Sequence, residues 1–199
     1  MTTDHPGEVR FALFDTLLNR FEPGRLIDLG TGHGKFAIRA AEAGWETVAV
    51  DARTERFPDY PGVTWRQENI GDTDLTGYDL IVNLGLFYHL GIDDQLSLLD
   101  RAAGTPMILD THVGVPSETG FGLSRMTRQR GYRGRLYSEK DKQHDPRSSF
   151  GNAWSFWPAP RALVRMLTER GWDVFTAQPY YQRSRTFFLC LPRRRHVAG

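Results

Sequence analysis

The sequence predicts an α/β fold, in which short buried strands alternate with helices and form a mostly parallel sheet covered on both faces. The stretch from Arg25 to Asp51 carries most of this prediction, because it contains a strand, a glycine turn, a helix and a second strand. Leu26 to Leu29 and Thr47 to Val50 are short apolar runs suited to buried parallel strands. Apolar residues between these runs recur at helical spacing.

The glycine turn after the first strand is the main functional signal. It reads DLGTGHG from Asp28, with glycine at alternate positions: Gly30, Gly32 and Gly34. A turn without Cβ atoms lets a ligand approach the backbone, and Asp51 at the tip of the next strand suits the hydroxyls of a ribose. A dinucleotide-binding turn is disfavoured, because it needs glycine or alanine three residues after its second glycine, where this chain has Lys35.

This turn resembles the first motif of the class I S-adenosylmethionine (SAM) dependent methyltransferases. The resemblance implies a Rossmann-like, seven-stranded, mostly parallel sheet with an antiparallel last strand, and it implies SAM as the cofactor. It also implies a set of cofactor-binding residues at the strand tips: Asp28, Gly30, Gly32, Gly34, Asp51, Ala52, Asn69, Ile70, Asn83 and Leu84. Asn69 stands where the family more often has aspartate, and its carbonyl oxygen can accept a hydrogen bond from the adenine amine.

The other elements of the first half follow in chain order. Apolar residues along one side of Val9 to Phe21 indicate a helix before the first strand. Prolines after Asp51 interrupt any long helix, so Val63 to Trp65 is expected to be the third strand. Tyr78 to Asn83 is the expected fourth strand, and a helix from Asp93 to Ala102 follows it.

The second half supplies the rest of the sheet. Met107 to His112 is the expected fifth strand, and a last helix is expected from Pro160 to Arg170. Strands over Trp172 to Ala177 and Arg185 to Leu191 then match the antiparallel hairpin that ends a methyltransferase sheet.

We expect one domain over residues 1–199, with a cap and acceptor insertion at about 113–157. From Val113 to Trp157 no regular period holds, and glycine, serine, arginine and aromatic residues dominate. A loop of this length inside a compact domain usually serves function or is disordered, and the aromatic residues argue against disorder. The sequence therefore predicts an irregular cap over the active site.

The acceptor side is indicated by a Tyr-His pair after the fourth strand and by an Asn-aromatic stretch before the last helix. Both are similar to two groups within the family. One acts on metabolites, natural products or sugars; the other comprises the catalytic domains of tRNA wobble-uridine carboxymethyltransferases, which use carboxy-SAM. The expected substrate-binding residues are Tyr88, His89, Asn152 and Trp154. The four aromatic residues between 150 and 157 can equally serve to anchor the segment to the core.

His112 is the candidate catalytic base, because it lies where the fifth strand opens towards the cap and imidazole titrates near neutral pH. The alternative is a structural histidine beneath the cap. No metal site is expected, since the chain has one cysteine and its histidines show no ligand spacing.

The composition of the chain bears on its binding partners and its location. The net charge of +1 gives no global field for nucleic acid or membrane, and no apolar run is long enough to cross a bilayer. A single cysteine fits a reducing cytoplasm. We therefore expect a cytoplasmic SAM-dependent methyltransferase that acts on a small molecule, at oxygen. The alternatives are a tRNA-modifying methyl or carboxymethyltransferase and a SAM-binding protein that does not methylate. The sequence does not indicate an oligomeric state.

Overall fold

The computed structural model describes residues 6–117, 119–140, 149–179 and 181–193. The helices are α1 Pro6–Leu18, α2 Lys35–Glu42, α3 Ile92–Ala102 and α4 Pro160–Glu169, with a short 3₁₀ helix at Phe87–His89. The strands are β1 Arg25–Leu29, β2 Glu46–Asp51, β3 Val63–Gln67, β4 Leu80–Leu84, β5 Met107–His112, β6 Thr127–Gln129, β7 Tyr132–Ser138, β8 Trp154–Pro158, β9 Trp172–Ala177 and β10 Arg185–Pro192. The first helix begins three residues earlier than the sequence predicts, at a proline, which the first helical turn tolerates.

Seven strands form the main sheet in the order β3-β2-β1-β4-β5-β10-β9. The first five pair in parallel, and β10 pairs antiparallel with both β5 and β9. This arrangement confirms the fold class. The chain order reverses between β1 and β4, and in open sheets of this kind ligands bind at that point, beyond the carboxyl ends of the strands.

Helices cover both faces because each inner strand is apolar on both sides. In β1, Ile27 and Leu29 pack into the cluster that contains α3 and α4, whereas Leu26 packs with Phe14 of α1 and Ala40 of α2. Within the described residues no helix combines the length and apolar character needed to cross a membrane.

The segment after β5 corrects one expectation, because it is not an irregular cap. Strands β6, β7 and β8 within it form a three-stranded antiparallel sheet. Strand β7 is not recognisable from the sequence because an arginine, Arg135, occupies one of its buried positions. The Arg135 guanidinium donates to the carbonyl oxygens of Val115, Leu123 and Ser124. A strand whose buried residue is an arginine shows no apolar alternation.

Gln95 of α3 joins the two sheets. Its side chain is fully buried, and its Nε2 donates to the carbonyl oxygens of Phe87, Leu90 and Phe156 at 2.9, 3.3 and 2.6 Å. The backbone N–H of Phe156 also donates to Leu90 O. The small sheet is thereby hydrogen-bonded to the 3₁₀ helix at the tip of β4.

We predict that Gln95→Leu lowers the free energy of unfolding by about 1–3 kcal/mol, because it leaves buried carbonyl oxygens without their donor. Chemical denaturation of the two proteins measures this. Asp100→Asn on the same helix is the control, since it alters only a surface ion pair with Arg170 and should cost less than about 1 kcal/mol. Equal stabilities of wild type and Gln95→Leu would show that this hydrogen bonding contributes nothing net.

Candidate active site

A cavity of about 660 Å³ lies beyond the carboxyl ends of β1, β2 and β4. One end is formed by the glycine turn, Asp51 and Asn69, and the other by residues after β4 together with 149–152. Its volume falls within the range of about 300–1,000 Å³ that is usual for small-molecule sites. The cavity therefore coincides with the place that the strand order predicts.

The three glycines of the turn serve different purposes, although all have positive φ. A Cβ at Gly30 would lie 2.7 Å from Leu86 Cβ, and one at Gly34 would lie 2.3 Å from the Trp65 ring. At Gly32 the nearest atom would be Arg56 Nη1, at 3.9 Å. Gly30 and Gly34 are thus needed for packing, whereas a side chain at Gly32 would project into open cavity space.

Asp51 accepts two backbone hydrogen bonds at the cavity wall. Its Oδ2 accepts from Gly32 N at 2.9 Å and its Oδ1 from Arg53 N at 3.0 Å. A carboxylate offers about four acceptor positions, so each oxygen keeps capacity for a ligand hydroxyl. Asp51 and Gly32 are held together before any ligand arrives.

Residues beyond β2 and β3 extend this end of the cavity. Ala52, Asn69 and Ile70 all line it. The Asn69 side chain is held by its own turn, since Oδ1 accepts from Gly71 N at 2.9 Å. Arg101 of α3 donates to Ile70 O at 2.7 Å and fixes the backbone there.

Among the other residues assigned to the cofactor, only Leu84 lines the cavity; Asp28 and Asn83 lie behind its wall. Asp28 is buried and accepts a 2.6 Å hydrogen bond from Thr31 Oγ1, so it supports the turn from below. Asn83 Oδ1 accepts from Phe87 N at 3.2 Å, which shapes the start of the 3₁₀ helix.

Two arginines that sequence reasoning missed share one buried carboxylate. Arg10 of α1 and Arg185 of β10 line the cavity, and both form ion pairs with Asp110, whose side chain is fully buried. Arg10 also donates to Leu84 O at 3.4 Å. This cluster attaches α1 to the sheet and carries one excess positive charge into the cavity wall.

The surroundings of His112 disfavour the role of base. It is buried, its Nε2 accepts from Arg185 Nη1 at 3.0 Å, and its Nδ1 donates to Ser184 Oγ at 3.1 Å. Burial, with Arg185 second, lowers the pKa of His112 to about 3. An imidazole whose lone pair is taken by a guanidinium has no free site for an acceptor proton, so the structural alternative fits better.

Tyr88 and His89 form the wall opposite the glycine turn. Their ring centroids lie 4.2 Å apart, and burial raises the pKa of Tyr88, although Arg185 partly offsets this. His89 Nδ1 lies 3.0 Å from Oε1 of Glu139, a buried carboxylate that also accepts from Ser155 Oγ at 2.6 Å. Glu139 was missed because it lies 50 residues from His89 in sequence.

The segment 149–152 closes this end of the cavity, and within it Asn152 is held in place. Asn152 Nδ2 donates to the carbonyl oxygens of His89 and Trp154 at 3.1 and 2.9 Å. Asn152 lines the cavity, and its Oδ1 accepts no hydrogen bond from the residues that the structure describes. Arg53 reaches across from the opposite side, donating to Ser149 O at 3.3 Å with its guanidinium over the Phe150 ring.

Trp154 does not belong to the cavity wall. Its side chain is 46% exposed and faces Lys140, whose Nζ lies 5.3 Å from the ring centroid. It lines no part of the cavity and is not buried against the core. In the part of the chain that the structure describes, no cluster of three or more His, Cys, Asp or Glu residues is suited to a metal.

Comparison with known proteins identifies this fold. A family model described as a methyltransferase domain matches residues 7–177, whereas no curated protein sequence matches the chain. The N-terminal domain of EvdMO1, solved with SAH, superposes with a TM-score of 0.72 and 17% identity over 97% of this chain and 82% of that one. An S-adenosylmethionine-dependent methyltransferase from Mesorhizobium loti superposes with a TM-score of 0.66 and 16% identity, over 94% of this chain and 99% of that one. Burkholderia thailandensis 1,6-didemethyltoxoflavin-N1-methyltransferase superposes with a TM-score of 0.61 and 15% identity, over 94% of this chain and 78% of that one.

The buried carboxyl of Asp28 makes the stability of the fold depend on pH. Burial raises its pKa from 3.8 to about 7, so between these values the folded protein binds a proton that the unfolded chain does not. Stability must then fall as pH rises through this window. Asp28→Asn removes the effect, and its stability relative to wild type should improve by on the order of 3 kcal/mol between about pH 4.5 and about pH 8.

Urea denaturation at both pH values measures this difference. Asp74→Asn is the control: two hydrogen bonds from Thr76 hold the pKa of Asp74 below its ordinary value. This carboxyl is therefore ionised in both the folded and the unfolded state across the window, and its replacement should cause almost no pH-dependent change. A stability difference between Asp28→Asn and wild type that does not change with pH would mean that Asp28 is ionised in the folded protein.

Proposed function

This chain belongs to the class I SAM-dependent methyltransferases, and we propose that its acceptor is a small molecule that it methylates at oxygen. The observation that carries the proposal is the single cavity of about 660 Å³, in which the glycine turn and the Tyr88-His89 wall face a common space. Donor and acceptor sites in one cavity suit direct transfer between two small molecules.

The residues of the cavity fit SAM. Gly32 leaves open the space that a side chain would fill, so the methionine part of the cofactor can lie against the turn. Both Asp51 oxygens have acceptor capacity for the ribose hydroxyls, and Asn69 and Ile70 supply a polar and an apolar group for adenine. We assign the cofactor to this end of the cavity.

When bound, SAM supplies a methyl group on a sulfonium, which is a good leaving group. The protein must then align the acceptor with this methyl group and exclude water. Tyr88, His89 and Asn152 line the remaining end of the cavity, and together they offer hydrogen-bond donors and acceptors. A hydroxyl needs both kinds of partner, which supports an alcohol or phenol as the acceptor.

Two observations support a small molecule over tRNA. Residues 149–152 line the acceptor end, and Arg53 is hydrogen-bonded to Ser149 across it, so an entering polynucleotide would have to displace this contact. One of the similar structures is a methyltransferase with bound 1,6-didemethyltoxoflavin. A protein that only binds SAM is the remaining alternative, and a product assay separates it from an enzyme.

The assay incubates the purified protein with methyl-labelled SAM and a cell extract divided into RNA and small-molecule fractions. We expect label in the small-molecule fraction as a base-stable methyl ether. Label confined to RNA would favour the tRNA-modifying alternative, and SAM binding without any labelled product would favour a non-methylating protein.

We predict that Asp51→Ala weakens SAM binding by about 1–3 kcal/mol, or roughly 5- to 150-fold, because ribose hydroxyls lose their acceptor. Isothermal titration calorimetry measures the affinity. Asp59→Ala, at an exposed position that does not line the cavity, is the matched control and should bind as wild type does. An unchanged affinity in Asp51→Ala would remove Asp51 from the cofactor site.

A further inference from the structure

We propose that His89 is the general base of the transfer and that Glu139 is the residue that positions it. The inference rests on the proposed methyltransferase function and narrows its acceptor to a hydroxyl group that must lose a proton. It replaces the role that the sequence suggests for His112.

The hydrogen bond between the two side chains fixes the tautomer of His89. Its Nδ1 lies 3.0 Å from Glu139 Oε1. An ionised carboxylate only accepts hydrogen bonds, so Nδ1 carries the proton and the lone pair is on Nε2. None of the residues described in the structure hydrogen-bonds to Nε2, and the His89 side chain lines the cavity with 16% of its surface exposed.

Three donors keep Glu139 ionised, although its side chain is only 1% exposed. Besides His89, Ser155 Oγ donates to it at 2.6 Å and Ser149 N at 3.4 Å. Burial alone would raise the pKa of Glu139, but the hydrogen bonds from His89 and Ser155 outweigh it and hold the pKa below its ordinary value. A buried carboxylate with this many donors has a stabilised negative charge.

The position of His89 is fixed from the backbone as well. Asn152 Nδ2 and Ser155 Oγ both approach its carbonyl oxygen, at 3.1 and 3.0 Å. Tyr88 packs against the ring. The backbone of His89 is therefore fixed by hydrogen bonds, its ring is positioned by Glu139 and Tyr88, and the residue lines the cavity.

In the proposed step, one bond to the methyl carbon forms as another breaks. The acceptor oxygen forms a bond to the methyl carbon while its proton passes to His89 Nε2. The carbon–sulfur bond breaks and its electron pair stays on sulfur, which becomes a neutral thioether. The positive charge ends on the imidazolium, where the Glu139 carboxylate stabilises it until the proton is released to water.

Nitrogen NMR on protein labelled with ¹⁵N-histidine tests the tautomer without an acceptor. The chain has six histidines, and loss of a signal in His89→Gln assigns the one from His89. We expect the neutral ring to carry its proton on Nδ1 alone. In Glu139→Gln the ring should become a mixture of tautomers, because an amide can both donate and accept. Glu169→Gln, which alters a carboxylate outside the cavity, should leave the tautomer unchanged.

The rate test uses the acceptor fraction found with labelled SAM. His89→Gln should lower the rate at saturating SAM by about 10²–10⁴-fold, with SAM affinity and circular dichroism as in wild type. Glu139→Gln should lower the rate less than His89→Gln and leave the SAM affinity unchanged.

Four results would overturn the proposal in whole or in part. A wild-type ring protonated on Nε2 would exclude His89 as the base, and a fixed Nδ1–H tautomer in Glu139→Gln would remove the role of Glu139. Full activity of His89→Gln in a protein that methylates normally would refute the base alone and leave the proposed function intact. If wild type labels no fraction, both proposals fail.

Discussion

The buried carboxylate of Asp110 is the interaction on which the acceptor end of the cavity depends. It receives Arg10 from α1 and Arg185 from β10, so one carboxylate fixes two arginine side chains at the tip of β5. Arg185 in turn donates to His112. Breaking a buried ion pair by truncating one partner typically costs about 3–5 kcal/mol, because the remaining charge is left without compensation. The wall of the cavity and the stability of the domain are therefore linked through one side chain.

At the end of the cavity formed by the glycine turn, backbone conformation matters more than charge. Positive φ angles at alternate residues allow the chain to turn sharply between β1 and α2, and Leu86 and Trp65 fill the spaces left at Gly30 and Gly34. These contacts hold the turn in position, so Gly32 N meets Asp51 without adjustment. The site is preorganised by packing beneath it, which reduces the ordering that binding must accomplish.

The sequence predicts the features that depend on neighbouring residues, such as the bounds of a buried strand. The β5 bounds agree from Met107 to His112, since the apolar start of this strand is recognisable locally and its polar end continues the same buried strand. The ion pair of Arg10 with Asp110 spans 100 residues, and no spacing rule connects side chains that far apart. The Asn-aromatic stretch predicts Trp154 at the acceptor, yet successive side chains of a strand alternate between its two faces, and Trp154 of β8 lies on the exposed face.

The hydrogen bonds from Gln95 and Asn152 to the 3₁₀ helix and the residue after it have a consequence for the regioselectivity of the proposed transfer. They connect the small sheet to the tip of β4 through the carbonyl oxygens of residues 87, 89 and 90. A misplacement of about 1 Å can cost about 100-fold in rate. Under the proposed function, an acceptor with several similar hydroxyl groups would bind against these fixed backbone positions, and its distance from them would decide which hydroxyl reacts. Different acceptors can be accommodated by changing side chains on the cavity wall while these backbone positions stay the same.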